Sequence, residues 1–303
     1  MNNIVICIPT YKRPIMLKKL VASISECNFS PELIKNVSIN VMDNDGDRSA
    51  EKLVQEMSVE FRNRFSIRYH NHSAKGISNV RNKLIEEAFL LNPDFIVFID
   101  DDEYVTPEWL NELIKTINTH NSEAARGPVL AMIEGEVSPY VAYWFKREQH
   151  ADGARLDSLK TGNLVLRCSS LQKLDLWFDP RFNIIGSGDN YFGVQFLKKG
   201  ASIYWAAKAV AYENIPAKRA SLNWLVKRVY RYASTYMYVL KLEKQYFAVL
   251  KKILVSCVYV ISGILGLVLL LLPVKMKYWG VLKLTEGVGG FSGIFNMMYK
   301  EYK

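Results

Sequence analysis

Apolar residues come in short runs through the first hundred positions, and each run stops at a polar or acidic cluster. Residues 4–8 (IVICI) end at Pro9 and Thr10-Tyr11-Lys12-Arg13. Residues 37–42 (VSINVM) end at Asp43-Asn44-Asp45-Gly46-Asp47, and residues 94–99 (DFIVFI) end at Asp100-Asp101-Asp102-Glu103. Runs with so little polar alternation fit strands covered on both faces, as in a parallel sheet. Between them the spacing predicts helices near 15–25, 49–59 and 78–90 and a short strand at 65–70. Thr106-Pro107-Glu108 supplies a cap and a first-turn proline for a further helix. Strands alternating with helices predict an α/β fold: a Rossmann-like, mostly parallel sheet flanked by helices.

The second half is less regular. Strands are expected at 129–133 and 163–167, with a polar linker at 147–159. The loop Gly186-Ser187-Gly188-Asp189-Asn190 leads into a helix at 191–199. Residues 221–242 form a helix that mixes Trp224, Tyr230, Tyr236 and Tyr238 with Lys227, Arg228 and Arg231, a combination suited to a lipid headgroup layer. Residues 253–272 are 20 consecutive uncharged positions, about 30 Å as a helix, which is the thickness of a bilayer core. Lys251 and Lys252 precede them, and Lys275 and Lys277 follow, so a single span, a re-entrant helix and an in-plane helix all stay open, with a buried core helix as the soluble alternative. Residues 278–303 contain Lys283, Glu286 and several glycines and are expected to form an interfacial helix.

Charge sharpens this division. The chain of 303 residues has a formal net charge of +9, and from Pro216 onward 14 basic residues face three acidic ones, giving +11 against −2 for the first 215 residues. A nucleic-acid-binding protein would carry the excess on its folded domain; here it accompanies the longest apolar run and indicates a membrane surface. The apolar half and 23% charged residues exclude a disordered or multi-span class. Four cysteines without C-x-x-C spacing indicate neither zinc nor a disulfide framework, and the N-terminus lacks a signal-peptide pattern. The main domain is therefore expected on the cytosolic side.

Chemistry gathers at the strand ends, where ligands bind in open α/β sheets. On an extended backbone Asp100 and Asp102 share a side while Asp101 points away. Carboxylates so close repel unless a cation sits between them, and an oxygen-only set suits Mg²⁺ or Mn²⁺. A solvated acidic turn is the plain alternative. The stretch Gly186 to Gly193 has the wrong spacing for a dinucleotide fingerprint, and no Walker A sequence exists. Asp189, at a helix start, is either a general base or an N-cap. His70, His72 and His150 lack the companions of a metal site.

Taken in order, ICIPTYKRP, VMDNDGD, KGISNVRN, FIDDDEYVTPEWL, ARGPV, KTGNLVLR and GSGDNYFGVQFLKKG closely resemble bacterial family 2 glycosyltransferases of the GT-A fold, over about residues 4–235. The resemblance implies a nucleotide-sugar donor, UDP-linked by preference, a divalent Mn²⁺ or Mg²⁺, and inverting transfer. Position by position it implies that Thr10 and Tyr11 hold the nucleobase with Arg13 beside them, and that Asp43 bonds the base with Asp45 nearby. Gly76 and Arg81 fall near the diphosphate. Asp100 and Asp102 fall on ribose and metal, with Asp101 between them, and Gly162 and Asn163 lie beside the sugar. Asp189 falls on the catalytic base, although the family more often has Glu-Asp where this chain has Gly188-Asp189. Arg228 and Arg231 match positions that meet a diphosphate of donor or acceptor.

The expected organisation is a GT-A catalytic domain at 1–215, amphipathic aromatic and basic helices at 216–250, and a membrane-anchoring segment with an interfacial helix at 251–303. The expected activity is addition of one sugar to a lipid-linked acceptor in capsule, exopolysaccharide or related surface-polysaccharide synthesis. It would take place at the cytosolic face of the inner membrane, without nucleic acid. A nucleotidyltransferase of related fold, or a non-catalytic membrane-anchored binding subunit, are the alternatives.

Overall fold

The run IVICI lies within strand β1 (Asn2–Thr10), at the centre of the main sheet, and Pro14 opens α1 (Pro14–Ser25) at a position where its missing N–H costs nothing. The computed structural model describes residues 1–272 and 276–300. The chain continues through β2 (Ile34–Asp43), α2 (Glu51–Glu60), β3 (Ser66–Asn71), α3 (Ile77–Phe89), β4 (Phe95–Phe98), β5 (Glu103–Val105), α4 (Trp109–Thr119), β6 (Ala124–Arg126) and β7 (Val129–Ile133). Then follow α5 (Pro139–Tyr143), β8 (Leu164–Arg167), α6 (Cys168–Leu174), α7 (Gly188–Lys198), β9 (Ile203–Trp205) and β10 (Ala211–Ile215). Three longer helices end it: α8 (Leu222–Leu242), α9 (Tyr246–Gly266), which runs on through a 3₁₀ turn at Leu267–Leu271, and α10 (Trp279–Ile294).

Two compact units result. The first comprises Met1–Ala131, Arg147–Asn183 and Gly188–Asn214; the second comprises Met132–Lys146, Ile184–Ser187 and the chain from Ile215 on. In the first unit seven strands lie in the order β3-β2-β1-β4-β8-β6-β9. Strands β1 to β4 run parallel and β6 pairs parallel with β9, so the mostly parallel α/β sheet is observed; β8 alone runs antiparallel to both neighbours. The side-chain period of two sorts β1 between two cores. Ile4, Ile6 and Ile8 pack with Leu17, Leu20 and Ile24 of α1 and with Trp109 and Leu113 of α4. Val5 and Cys7 pack with Val80, Leu84 and Ala88 of α3 and with Phe192 and Phe196 of α7. Both faces of the sheet are thus covered, which explains the unalternated sequence. The short β5 pairs antiparallel with β10, setting Glu103 opposite Glu213.

In the second unit Ser138 caps α5 and Ser221 caps α8 through their hydroxyls. Phe145 stacks on Trp224 with ring centroids 5.5 Å apart. Helix α10 lies between α8 and α9. A Cβ on Gly289 would fall 2.8 Å from the Tyr230 carbonyl of α8, and one on Gly287 would fall 2.7 Å from the Ser256 carbonyl of α9, so only glycine permits both approaches. The expected 20-residue apolar run occupies the last two thirds of α9 and its 3₁₀ extension. Lys275, counted among its basic flanks, and positions 301–303 lie outside the described residues.

Candidate active site

Three strand ends are brought level by register. Thr10 of β1 pairs with Asp43 of β2, and Asp43 with Asn71 of β3, while β4 pairs with β1 up to Phe98 and hands over to Asp100 just beyond. The acidic segment is not extended. It turns, with Glu103 N donating to the Asp100 carbonyl at 3.1 Å, so the side-sharing of Asp100 and Asp102 expected from strand geometry does not apply. Asp101 instead points back toward β1, where its Oδ2 accepts from Thr10 Oγ1 at 2.8 Å. Arg13 Nη1 bridges Asp101 Oδ1 (3.0 Å) and Asp102 Oδ2 (2.9 Å). Asp100 is the open member, with 40% of its side chain reachable by water, and Arg81 Nη2 lies 3.5 Å from its Oδ1.

The electrostatics are those of an acid-rich recess with two cations. Desolvation raises the Asp100 carboxyl; Arg81 opposes this, and the nearby charges of Asp102 and Asp189 add to it. Burial also pushes Asp101 up, to about 6, against the pull of Arg13. Glu103, buried with its Oε2 accepting from Asp100 N at 3.3 Å, is raised well above the usual carboxylate range by desolvation, then by Asp100, Asp102 and Glu213. Such a set favours protons or a cation. Among the described residues no three His, Cys, Asp or Glu side chains converge as a ready-made metal cage. Mg²⁺-type ions are commonly held by one or two carboxylates and completed by substrate phosphates, so an open Asp100 beside Asp102 fits that role without a cage.

The other expected residues divide. Asp43 is fully buried and spent on protein: Oδ1 accepts from Asp45 N, and Oδ2 accepts from Ala50 N and the Tyr69 hydroxyl. These three bonds shape the loop after β2. In Asp45, Oδ2 is buried without a geometric hydrogen-bond partner while Oδ1 faces Lys12 Nζ at 3.5 Å. Tyr11 is exposed, with Lys12 Nζ 5.6 Å from its ring centroid. Gly76, at φ +125°, starts α3, and Asn183 Oδ1 accepts from Asn79 N there. Arg81 is buried over the Phe178 ring, with its Nε unpartnered. Asn163 lies at φ +56°, wholly buried. Its amide donates to the Pro128 and Ala209 carbonyls and its Oδ1 accepts from Trp109 Nε1, so its side chain is a structural tie. Its neighbour Gly162 abuts Glu103, whose Oε1 would lie 2.7 Å from a Cβ there.

Asp189 is the second residue of α7, inside the first turn rather than at the cap, and partly exposed. The glycine before it is dictated by packing: a Cβ on Gly188 would fall 2.9 Å from Ser78 Oγ and 3.3 Å from Phe182 Cβ. Arg228 and Arg231 lie on α8 in the second unit, where Arg228 stacks on Trp224 and Tyr232, and Arg231 on Tyr232. Sequence reasoning missed Asn183 and the buried Ser78, whose hydroxyl has no partner. It also missed Arg126, which ion-pairs with Glu148 and lies over Trp205. Nothing local distinguishes these residues; only tertiary approach does.

Comparison with known proteins bears on the same residues. The chain is 30% identical over 239 residues to the succinoglycan biosynthesis protein ExoM of Rhizobium meliloti (strain 1021), covering 75% of this chain and 72% of ExoM. Its fold resembles crystal structures of S. aureus TarS. TarS 1–349 in complex with UDP-GlcNAc gives a TM-score of 0.54 at 15% identity, covering 98% of this chain and 93% of that one. The complex with UDP gives 0.53 at 16%, with the same coverage. Against the longer TarS chain the match covers 74% of this chain but 38% of TarS. Residues 5–174, which hold every strand-end acid described above, match the model of Glycosyl transferase family 2, and the chain belongs to that family of glycosyltransferases.

Proposed function

We propose that this glycosyltransferase moves a sugar, with inversion, from a UDP-sugar to a lipid-linked glycan in cell-surface polysaccharide synthesis. It would do so as a membrane-associated enzyme at the cytosolic face of the inner membrane. The observation that carries the reading is the meeting of Asp100, Asp102 and Asp189 with Arg13 and Arg81 at the strand ends of a family 2 chain. The UDP and UDP-GlcNAc complexes of TarS and the polysaccharide role of ExoM support the donor class and the pathway class.

The base would lie against Asp45 and Tyr11, and Asp45 Oδ2 would accept an N–H from it. Arg81 would face the diphosphate. A Mn²⁺ or Mg²⁺ held by Asp100 and Asp102 would neutralise charge on the departing diphosphate. Asp189 accepts the proton of the acceptor hydroxyl as its oxygen bonds to the anomeric carbon from the opposite face. The anomeric carbon–phosphate oxygen bond breaks, and the nucleoside diphosphate leaves with the electron pair. Thermal stabilisation by UDP-sugars, GDP-sugars and dTDP-sugars, each with Mn²⁺ and with EDTA, tests this. A UDP-sugar shift that EDTA removes is the expected result, and no shift with any donor overturns the reading.

A further inference from the structure

Helix α9 is built inside out. Its exposed stripe is Phe247, Leu250, Leu254, Val258, Ile261, Leu265 and Val268, a three-four repeat of large apolar side chains. Lys252 and Ser256 face inward instead. Lys252 lies 3.9 Å from Glu286 of α10, Lys283 of α10 lies 3.0 Å from the same carboxylate and over the Tyr259 ring, and Ser256 is buried against α10. A helix of a soluble domain shows the opposite arrangement; apolar side out with paired charges inside is the pattern of a surface solvated by lipid. Exposed Lys244, Lys251 and Lys277 flank the stripe, within a C-terminal region of strong positive charge, and anionic headgroups complement them.

The neighbours of α9 decide how it meets lipid. Helix α10 returns along α9, setting Leu284 against Gly263 and Gly280 against Gly266. On its other side the same level of α10 (Leu284, Thr285, Val288) faces Val226, Lys227 and Tyr230 of α8 across a groove of about 290 Å³. Farther along, Lys241 Nζ donates to Asn296 Oδ1 at 2.9 Å. The middle of the apolar run is therefore level with Lys227, Arg228 and Arg231. If α9 crossed a bilayer, α8 would carry these cations at mid-membrane, one of the costliest places for them.

We propose that α9 lies in the plane of one leaflet of an anionic membrane, its outer stripe at the headgroup–acyl boundary and α8 on the water side of α10, without crossing. This deepens the membrane part of the proposed function and rests on it. The test uses the full-length chain with Cys257→Ser and single cysteines at Leu254, Ile261 or Val268, each carrying an environment-sensitive fluorophore. Depth is read by lipids quenching at shallow and deep positions in phosphatidylcholine–phosphatidylglycerol vesicles. An in-plane helix gives the three sites the same shallow-to-deep quenching ratio, within about twofold. A crossing helix sets the outer two about 20 Å apart towards opposite surfaces and Ile261 near the bilayer centre, so that Ile261 alone is quenched chiefly by the deep lipid. Unequal ratios of this kind overturn the in-plane placement and leave the membrane reading standing. Failure to float with vesicles, with the label shielded in a dimer instead, overturns both. Ile261→Glu with Leu265→Glu lowers vesicle partitioning at least tenfold while the circular dichroism spectrum is kept.

Discussion

Arg13 and Asp102 are joined at 2.9 Å, so the strand-end carboxylate expected to meet a divalent ion already has a cation of its own from the β1–α1 loop. The same guanidinium nitrogen holds Asp101. Removing it leaves Asp100, Asp101 and Asp102 with less compensation in a desolvated recess. Arg13→Gln is expected to cost ~1–2 kcal/mol in EDTA, a buried-pair loss discounted because the Arg13 side chain is partly exposed. The variant should also gain more melting temperature from saturating Mn²⁺ than the parent. Melting curves of both proteins, with EDTA and with Mn²⁺, check this, and an equal Mn²⁺ gain would show that the ion does not use the charge Arg13 now balances.

Asp189 stands at the start of α7, close enough to raise the Asp100 carboxyl. If it is the base, Asp189→Asn keeps the shape and loses only proton acceptance. Transfer should then fall by roughly 10²–10⁴-fold, with the donor-induced melting shift retained. Parallel transfer and melting assays separate the outcomes. Loss of both marks Asp189 as a residue that shapes the donor pocket.

The departure from the Glu-Asp pattern at Gly188 has a steric cause that a double-mutant cycle can measure. Gly188→Ala should cost ~1–3 kcal/mol because the new methyl meets Ser78 Oγ and Phe182. Ser78→Ala alone should be close to neutral, since its buried hydroxyl has no partner to lose. In the double variant the penalty should shrink by ~0.5 kcal/mol or more. Urea unfolding of the four proteins checks this; strict additivity would mean that Phe182 or the backbone, not Ser78, sets the limit.

The parallel core was legible because β1, β2 and β4 are buried on both faces and their residues say so directly. Sequence cues also placed α8 to within a residue, and Ser221, where that expectation began, is the cap in the structure. The acid cluster was found, but its geometry was not. Whether Asp100 and Asp102 share a side depends on the turn closed by Glu103 N, and that turn is set by β5 pairing with β10, more than a hundred residues away. The burial of Asn163 likewise follows from Trp109, Pro128 and Ala209 closing around it. Strands β9 and β10 went unseen because three to five residues, partly polar, carry too little periodicity. The packing of α10 rests on glycines whose meaning appears only when a second helix touches them.

The segment 147–159, expected as a polar linker, is pinned by Glu148, which ion-pairs with the buried Arg126 and accepts from Lys160 Nζ at 2.7 Å. Burial alone would raise this carboxyl, but Lys160 and Arg126 outweigh it and hold it down to about 2. A carboxyl depressed in the folded state binds protons more readily in the unfolded chain, so its stabilisation is present above the ordinary glutamate range and is lost as pH falls toward 2. With about a third of the side chain exposed, screening reduces the contribution to on the order of 1–2 kcal/mol. Glu148→Gln should therefore be less stable than the parent at pH 7 by about that amount. The gap should close between about pH 4.5 and pH 2, where the parent loses the same charge. Urea midpoints of both proteins at pH 7 and near pH 3 check it. A gap that stays constant with pH would mean that Glu148 acts through packing and hydrogen bonding that survive protonation.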